Sequence, residues 1–98
     1  MYAVLLSAAL LAAPHAAKPV AIKDFKFGPQ RIVVHRGTRI TWTNDDSDPH
    51  TVRSKTAHWA SQALDTGDRF SVVARKAGTF HYLCTIHPFM HGTVVVRP

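Results

Sequence analysis

Short stretches in which apolar and polar residues alternate fill the chain from Pro19 onward, and turn-forming residues separate them. In Thr38–Thr43, for example, Ile40 and Trp42 fall on one face and the residues between them fall on the other. A period of two residues is typical of β-strands that bury one face. No long helical period occurs in this part of the chain, and the pattern therefore predicts an all-β fold.

About seven such segments follow one another at short spacing. The predicted strands are Val20–Phe27, Arg31–His35, Thr38–Thr43, His50–Ser54, Arg69–Ala74, Thr79–Cys84 and Thr93–Arg97. The least regular stretch is Lys55–Gly67, where we expect at most a helical turn. Seven to eight short strands in one domain predict an antiparallel Greek-key β-sandwich or barrel.

The first 17 residues differ from the rest because they contain no charged side chain and are rich in Ala and Leu. The apolar run Tyr2–Ala13 is shorter than the roughly 20 residues that a membrane-spanning helix needs. It predicts a secretory signal peptide over residues 1–17, with cleavage near Ala13, Ala16 or Ala17. The alternative is that this segment is a first helix or strand packed on the domain.

Residues 18–98 are predicted to form one domain. A domain of this size has a small core, so a bound metal would help to stabilise it. It contains all 12 Lys and Arg residues and all six Asp residues, and the net charge is +6. This charge favours partners with acidic surfaces, whereas the interleaved aromatics or modules of nucleic-acid binding are missing. We expect a periplasmic or otherwise exported monomer, without stable membrane insertion once the signal peptide is removed.

The chain contains a single cysteine, Cys84, which cannot form an internal disulfide. In an exported protein it is therefore a buried thiol, an intermolecular partner or a metal ligand. Cys84, His87 and Met90 occur at positions i, i+3 and i+6 of a predicted loop. A thiolate, two imidazoles and a weak thioether form a ligand set that suits copper in both of its oxidation states. The segment therefore predicts a copper site that needs one further histidine.

Six other histidines are available for that position, and most are disfavoured by their place in the pattern. His15 lies in the predicted signal peptide, His35 precedes a turn, His58 lies in the irregular stretch, His81 alternates away from Cys84, and His91 directly follows Met90. His50 remains, because it follows the turn-rich segment Asn44–Pro49 and begins a short predicted strand. We expect His50 to lie beside the loop that contains Cys84 and His87.

These motifs resemble those of the cupredoxin family. The matching residues are Asp48–Val52, Gly78–Cys84 and Cys84–Met90, and the short Cys-x-x-His-x-x-Met spacing is similar to that of the amicyanin branch. The resemblance implies a Greek-key sandwich in which His50, Cys84, His87 and Met90 hold one type 1 copper. It also implies that the chain is not an enzyme and carries single electrons between redox protein partners. The chain departs from many relatives at Thr51, where an Asn is common, and we expect Thr51 to make fewer hydrogen bonds.

Three other functions use the same residues. A copper-delivery protein of the cell envelope would release its metal, with help from His81 and His91. A small enzyme with Cys84 as nucleophile and His87 as base would need an oxyanion site and an orienting group, neither of which the sequence indicates. A structural zinc site is disfavoured because Met is a poor zinc ligand. We therefore predict an electron carrier and keep copper delivery as the alternative.

Overall fold

The computed structural model describes residues 16–98, which form nine strands and no helix. The strands are β1 (Ala17–Lys23), β2 (Lys26–Gly28), β3 (Arg31–His35), β4 (Arg39–Asn44), β5 (Arg53–Ser54), β6 (Trp59–Ala60), β7 (Arg69–Val73), β8 (Gly78–Leu83) and β9 (His91–Arg97). No helix that could cross a membrane is found in this part of the chain. The predicted signal peptide lies outside the described residues, except for Ala16 and Ala17.

The nine strands form two sheets that pack face to face as a β-sandwich. One sheet has the order β2-β1-β4-β7, and the other has the order β3-β9-β8-β5-β6. The predicted all-β sandwich is confirmed, but the prediction that it is antiparallel is wrong for two pairs. β1 pairs with β4 in parallel, and β3 pairs with β9 in parallel. Parallel pairing needs a long connection between the two strands, and both of these pairs have one.

Alternate residues of both sheets build the core between them. Ile40 and Trp42 of β4 are fully buried, as their shared face predicts, and so is Ile22 of β1. Tyr82 of β8 faces them from the other sheet, and its ring centroid lies 5.3 Å from that of Trp42. The aromatic contact between the sheets holds β4 and β8 in a fixed relation. The residues that follow these two strands carry the candidate site.

The predicted single strand Val20–Phe27 is in fact a hairpin of β1 and β2. Its turn residues, Asp24 and Phe25, have φ angles of 52° and 57°, a conformation that usually calls for Gly or Asn. The sequence shows neither residue there, so the turn was missed. The carboxylate of Asp46 accepts hydrogen bonds from both turn N–H groups, at 2.7 and 2.9 Å. A contact 21 and 22 residues away in sequence therefore stabilises this turn.

Two further boundaries differ from the predictions. β9 begins at His91, two residues before the predicted Thr93, so the preceding loop is shorter than expected. The irregular stretch contains β6, which pairs with β5, and turns instead of the expected helical turn. Trp59 of β6 packs against Phe80, with 5.8 Å between the ring centroids, and this tertiary contact is invisible in a local sequence pattern.

Strand directions bring three connections together at one end of the sandwich, which we call the site end. They are the β1–β2 turn, the loop from β4 to β5, and the loop from β8 to β9. The β3–β4 and β7–β8 turns lie at the opposite end, where the N–H of Gly37 donates to the carbonyl of Ala74 at 2.7 Å. The two ends are separated by the length of β8, about 20 Å for its six residues.

Candidate metal centre

Three side chains converge at the site end: His50 from the β4–β5 loop, and Cys84 and His87 from the β8–β9 loop. The sulfur of Cys84 lies 3.8 Å from Nδ1 of His50 and 3.8 Å from Nδ1 of His87. The two Nδ1 atoms are 3.2 Å apart. Among the described residues, this is the only group of three or more His, Cys, Asp or Glu side chains whose donor atoms all lie within 4.8 Å of one another.

The spacing of these donor atoms fits one metal ion. Bonds of about 2.0–2.1 Å to nitrogen and about 2.3 Å to sulfur, at angles of about 100–120°, give donor separations of about 3.2–3.8 Å. The observed separations lie in this range. Two imidazoles and a thiolate in one plane with a weak further ligand are the donor set of blue copper centres. The residues present therefore fit copper.

His50 is held by the backbone on one side. Its N–H donates to the carbonyl of Leu64 at 3.1 Å, and the N–H of Leu64 donates back at 2.7 Å. The buried amide of Asn44 donates to the carbonyls of Asp48 and Leu64, at 2.8 and 2.7 Å. These bonds fix the β4–β5 loop against the loop before β7. The His50 ring is fully buried as a result.

Asp46 holds the other side of the His50 ring. Its Oδ2 lies 2.8 Å from Nε2 of His50, which leaves Nδ1 directed at Cys84. Burial alone would raise the pKa of Asp46, but the hydrogen bonds from Phe25, His50 and Asp24 outweigh it and lower the pKa. The carboxylate therefore stays ionised and orients the imidazole, as the hydrogen-bond partners of metal-bound histidines commonly do.

Thr51 ties the two loops together. Its N–H donates to the sulfur of Cys84 at 3.3 Å, and its hydroxyl oxygen accepts a hydrogen bond from the N–H of Thr85 at 2.7 Å. The hydroxyls of Thr51 and Thr85 are also 2.8 Å apart. Thr51 therefore still joins the two loops where many relatives have Asn, because its hydroxyl both accepts from the backbone and contacts a second hydroxyl.

The same contacts activate the thiol. Burial alone would raise the pKa of Cys84, but the N–H of Thr51 and hydrogen bonds from His50 and His87 lower the pKa to about 6. The thiolate, which is the form that binds metals, is thus already favoured at neutral pH. Cys84 is fully buried and is the only cysteine in the chain, so its sulfur is directed at the two histidines rather than at a disulfide partner.

Met90 closes the β8–β9 loop. The N–H of Cys84 donates to the carbonyl of Met90 at 3.0 Å, and the N–H of Met90 donates to the carbonyl of His87 at 2.9 Å. Met90 is 2% exposed, so its thioether is part of the buried end of the sandwich. The loop thus brings together the three residues whose spacing singles them out in the sequence.

An apolar surface surrounds the outer edge of the site. The side chain of His87 is 21% exposed, whereas that of His50 is completely buried. The ring of Phe25 packs edge-on against both imidazoles, with centroid distances of 5.3 Å to His50 and 5.1 Å to His87. Phe89 is 68% exposed and Ile86 is 46% exposed, so the surface beside His87 is open and apolar.

The remaining histidines stay outside this cluster. His35, His58, His81 and His91 are exposed, and His15 lies outside the described residues. The sequence pattern does not single out two further contributors, Asp46 and Phe25. Asp46 is one of several turn-forming residues in its segment, and Phe25 lies within a predicted strand. Only the fold brings both of them to His50.

The known proteins that this chain resembles in sequence are cupredoxins and amicyanins. A family model described as a cupredoxin-like domain matches residues 1–96. Amicyanin-alpha from Methylorubrum extorquens is 34% identical over 90 residues, which cover 87% of this chain and 76% of that protein. Amicyanin from Paracoccus denitrificans is 34% identical over 83 residues, which cover 80% of this chain and 63% of that protein.

Solved structures agree with these relatives. A purple cupredoxin from Nitrosopumilus maritimus superposes with a TM-score of 0.73 at 32% identity, covering 81% of this chain and 98% of that chain. A reduced copper(I) form of an amicyanin variant gives a TM-score of 0.77 at 29% identity, covering 94% of this chain and 90% of that chain. The sandwich therefore has the fold of known copper proteins.

Proposed function

The chain belongs to the cupredoxin family of blue copper electron carriers, and we propose that it is an exported carrier whose copper is bound by His50, Cys84, His87 and Met90. The observation that supports this ligand set most directly is the convergence of two imidazole nitrogens and one thiolate, with separations of 3.2–3.8 Å. Copper that cycles between Cu(I) and Cu(II) supplies the single-electron chemistry.

The chain's own residues prepare the site before a metal arrives. Asp46 orients the ring of His50, and Thr51 holds the sulfur of Cys84 through its N–H. Because Asp46 fixes the ring within its own loop and Thr51 joins that loop to the β8–β9 loop, the donor atoms have little freedom to move when the charge of the site changes. A rigid donor set suits electron transfer, since each rearrangement would slow the exchange.

Four protein ligands would leave no position open for a substrate, which agrees with a carrier rather than an enzyme. Electrons would enter and leave through the exposed edge of His87. Phe89 and Ile86 border this edge and offer a small apolar contact surface. Small interfaces are typical of redox partners that must bind and separate quickly. We propose that partners dock here.

Two exposed basic residues at this surface could contact the acidic partners that the net charge favours. Lys23 and Lys26 flank the β1–β2 turn on either side of Phe25, and both are exposed. Carboxylates at the rim of a partner's apolar surface would meet these ammonium groups. Rim charges of this kind act mainly on the association rate.

Export rests on the apolar segment before Ala16. The carbonyl of Ala16 accepts a hydrogen bond from the N–H of Arg39 at 2.8 Å, and Ala17 pairs with Arg39 in the sheet. Cleavage after Ala13 keeps both contacts, cleavage after Ala16 removes the first, and cleavage after Ala17 removes both. We therefore propose the Ala13 site. The mass of the protein recovered from the cell envelope tests this choice.

Colour tests the copper site. Protein loaded with Cu(II) should turn intensely blue, and Cys84→Ser should remove the colour because it removes the thiolate. The matched control is His58→Ala, which changes an exposed histidine outside the donor cluster and should leave the colour intact. A colourless copper complex of the unchanged protein would refute the carrier. Loss of copper to an acceptor during redox cycling would favour copper delivery instead.

A further inference from the structure

The charges of this chain are separated along the direction of the strands. At the end opposite the metal centre lie six basic residues, a set that we call the basic end: Lys18, Arg36, Arg39, Arg75, Lys76 and Arg97. They come from the start of β1, the β3–β4 turn, the start of β4, the β7–β8 turn and the last residue of β9. Residues far apart in sequence thus form one cationic surface.

All acidic side chains lie at the other end. The six aspartates are Asp24, Asp45, Asp46, Asp48, Asp65 and Asp68, in the β1–β2 turn, the β4–β5 loop and the loop before β7. A hydrogen bond places the loop before β7 at this end, because the N–H of Asn44, the last residue of β4, donates to the carbonyl of Asp68 at 3.0 Å. Half of the basic residues are therefore collected at an end that has no acidic side chain.

The cationic side chains of the basic end are available for a partner. Arg36, Arg39, Arg75, Lys76 and Arg97 are exposed, and Lys18 is half-buried. Within the described part of the chain, the ion pairs within 4.0 Å join only histidines and aspartates of the site end. The positive charge is thus not neutralised by neighbouring carboxylates, and it attracts anions from solution.

This surface is poorly placed for electron exchange. The length of β8 puts it about 20 Å from Cys84. A redox partner bound there could not contact the exposed edge of His87 or the apolar side chain of Phe89. The basic end therefore suits a partner that holds the protein without exchanging electrons with it.

The chain enters the sandwich at this same end, because β1 starts with Ala17 beside Arg39. We propose that the basic end docks on a membrane surface rich in anionic lipid headgroups, with the metal centre facing away from the bilayer.

Membrane electrostatics supports this arrangement. A group of several Lys and Arg residues at the surface of a protein is attracted to anionic headgroups within about one Debye length, roughly 8 Å at physiological salt. The acidic residues at the far end would be repelled by the same surface. The rest of the domain carries six basic and six acidic residues and so has little net charge, and attraction at the basic end would therefore orient the molecule with His87 toward solvent.

The test compares two variants of the mature chain, which begins at Pro14 under the proposed cleavage, and the two variants have equal net charge. The first replaces three residues of the basic end, Arg36→Glu, Arg75→Glu and Lys76→Glu. The control replaces three exposed basic residues nearer the site end, Lys26→Glu, Arg31→Glu and Arg53→Glu. Co-sedimentation is measured with phosphatidylcholine vesicles and with vesicles that also contain phosphatidylglycerol. The blue colour and the melting temperature confirm that each variant is folded.

We expect the unchanged chain to bind anionic vesicles more tightly than neutral ones, and added salt to weaken that binding. The basic-end variant should lose about tenfold or more in affinity for anionic vesicles, and the control should lose much less. Equal losses would overturn the proposal, since net charge alone would explain them. Equal binding of the unchanged chain to both kinds of vesicle would also overturn it. Binding to immobilised polyaspartate is measured in parallel as a model of an acidic protein. If the basic-end variant lost that binding but still bound anionic vesicles as before, the basic end would serve an acidic protein partner and the proposal would be wrong.

Discussion

Asp46 links the β1–β2 turn to the metal centre, since one carboxylate accepts hydrogen bonds from two turn N–H groups and contacts His50. We predict that Asp46→Asn lowers the free energy of unfolding by about 1–3 kcal/mol, because the amide lacks the charge and turns a donor toward a donor. Urea unfolding measures the change. The control is Asp45→Asn, an exposed neighbour that should change stability little. Equal effects of the two changes would contradict the role given to Asp46.

Cys84 makes the metal-free protein sensitive to pH. Its pKa of about 6 lies below the ordinary value of 9.0, so the thiolate stabilises the fold fully above pH 9.0 and this contribution is lost as the pH falls toward 6. We predict that the ultraviolet absorbance of the thiolate in metal-free protein titrates with a midpoint near pH 6. Cys84→Ser provides the baseline. A midpoint near 9.0 would show that Thr51 and the histidines do not stabilise the thiolate.

At the residue scale, the sequence singles out the proposed loop ligands but not the residues that support them. Cys84, His87 and Met90 are close in sequence, so their spacing alone brings them together in a loop. The place of His50 depended on resemblance, because no local pattern relates it to Cys84, 34 residues away. Asp46 and Phe25 could not be assigned, since their contacts exist only after the two sheets have packed.

At the element scale, β8 and β9 depend on a glycine. Gly92 lies opposite Tyr82, and a Cβ at this position would be 2.5 Å from the hydroxyl oxygen of the tyrosine. We predict that Gly92→Ala destabilises the protein by about 1–3 kcal/mol, because the buried Tyr82 ring has to move. The melting temperature should fall by about 4–8 °C for each kcal/mol of lost stability, which thermal unfolding measures.

The matched control is Gly28→Ala in β2. A Cβ there would be 3.9 Å from the carbonyl oxygen of Ala21, an ordinary contact, and its φ angle is not in the left-handed region. The melting temperature of this variant should change little. If both alanine variants melted alike, a general loss of backbone freedom rather than the clash with Tyr82 would be responsible.

Elements were predictable where burial alternates and unpredictable where a distant contact decides. β3 has the predicted bounds, β7 ends one residue earlier than predicted, and β4 and β8 are each shifted by one residue at both ends. These strands have one buried and one exposed face, so their period is visible in the sequence. The β1–β2 hairpin and β6 depend on Asp46 and on the packing of Trp59, which no local window contains.

At the scale of the whole molecule, the metal centre joins the two sheets. His50 follows β4 of one sheet, whereas Cys84 and His87 follow β8 of the other. A metal bound by all three would therefore cross-link the sandwich at its site end, which matters for a small core. Binding to the folded state alone raises the free energy of unfolding by about 2.7 kcal/mol at a free metal concentration of 100 times Kd.

We predict that copper raises the melting temperature of the unchanged protein by about 10–20 °C under these conditions. His50→Ala should lose most of this increase, because the remaining donors belong to one loop and no longer connect the sheets. His81→Ala changes an exposed histidine of β8 and should keep the increase. An equal rise in His50→Ala would mean that copper binds elsewhere or only to the β8–β9 loop, and the cross-link between the sheets would then be wrong.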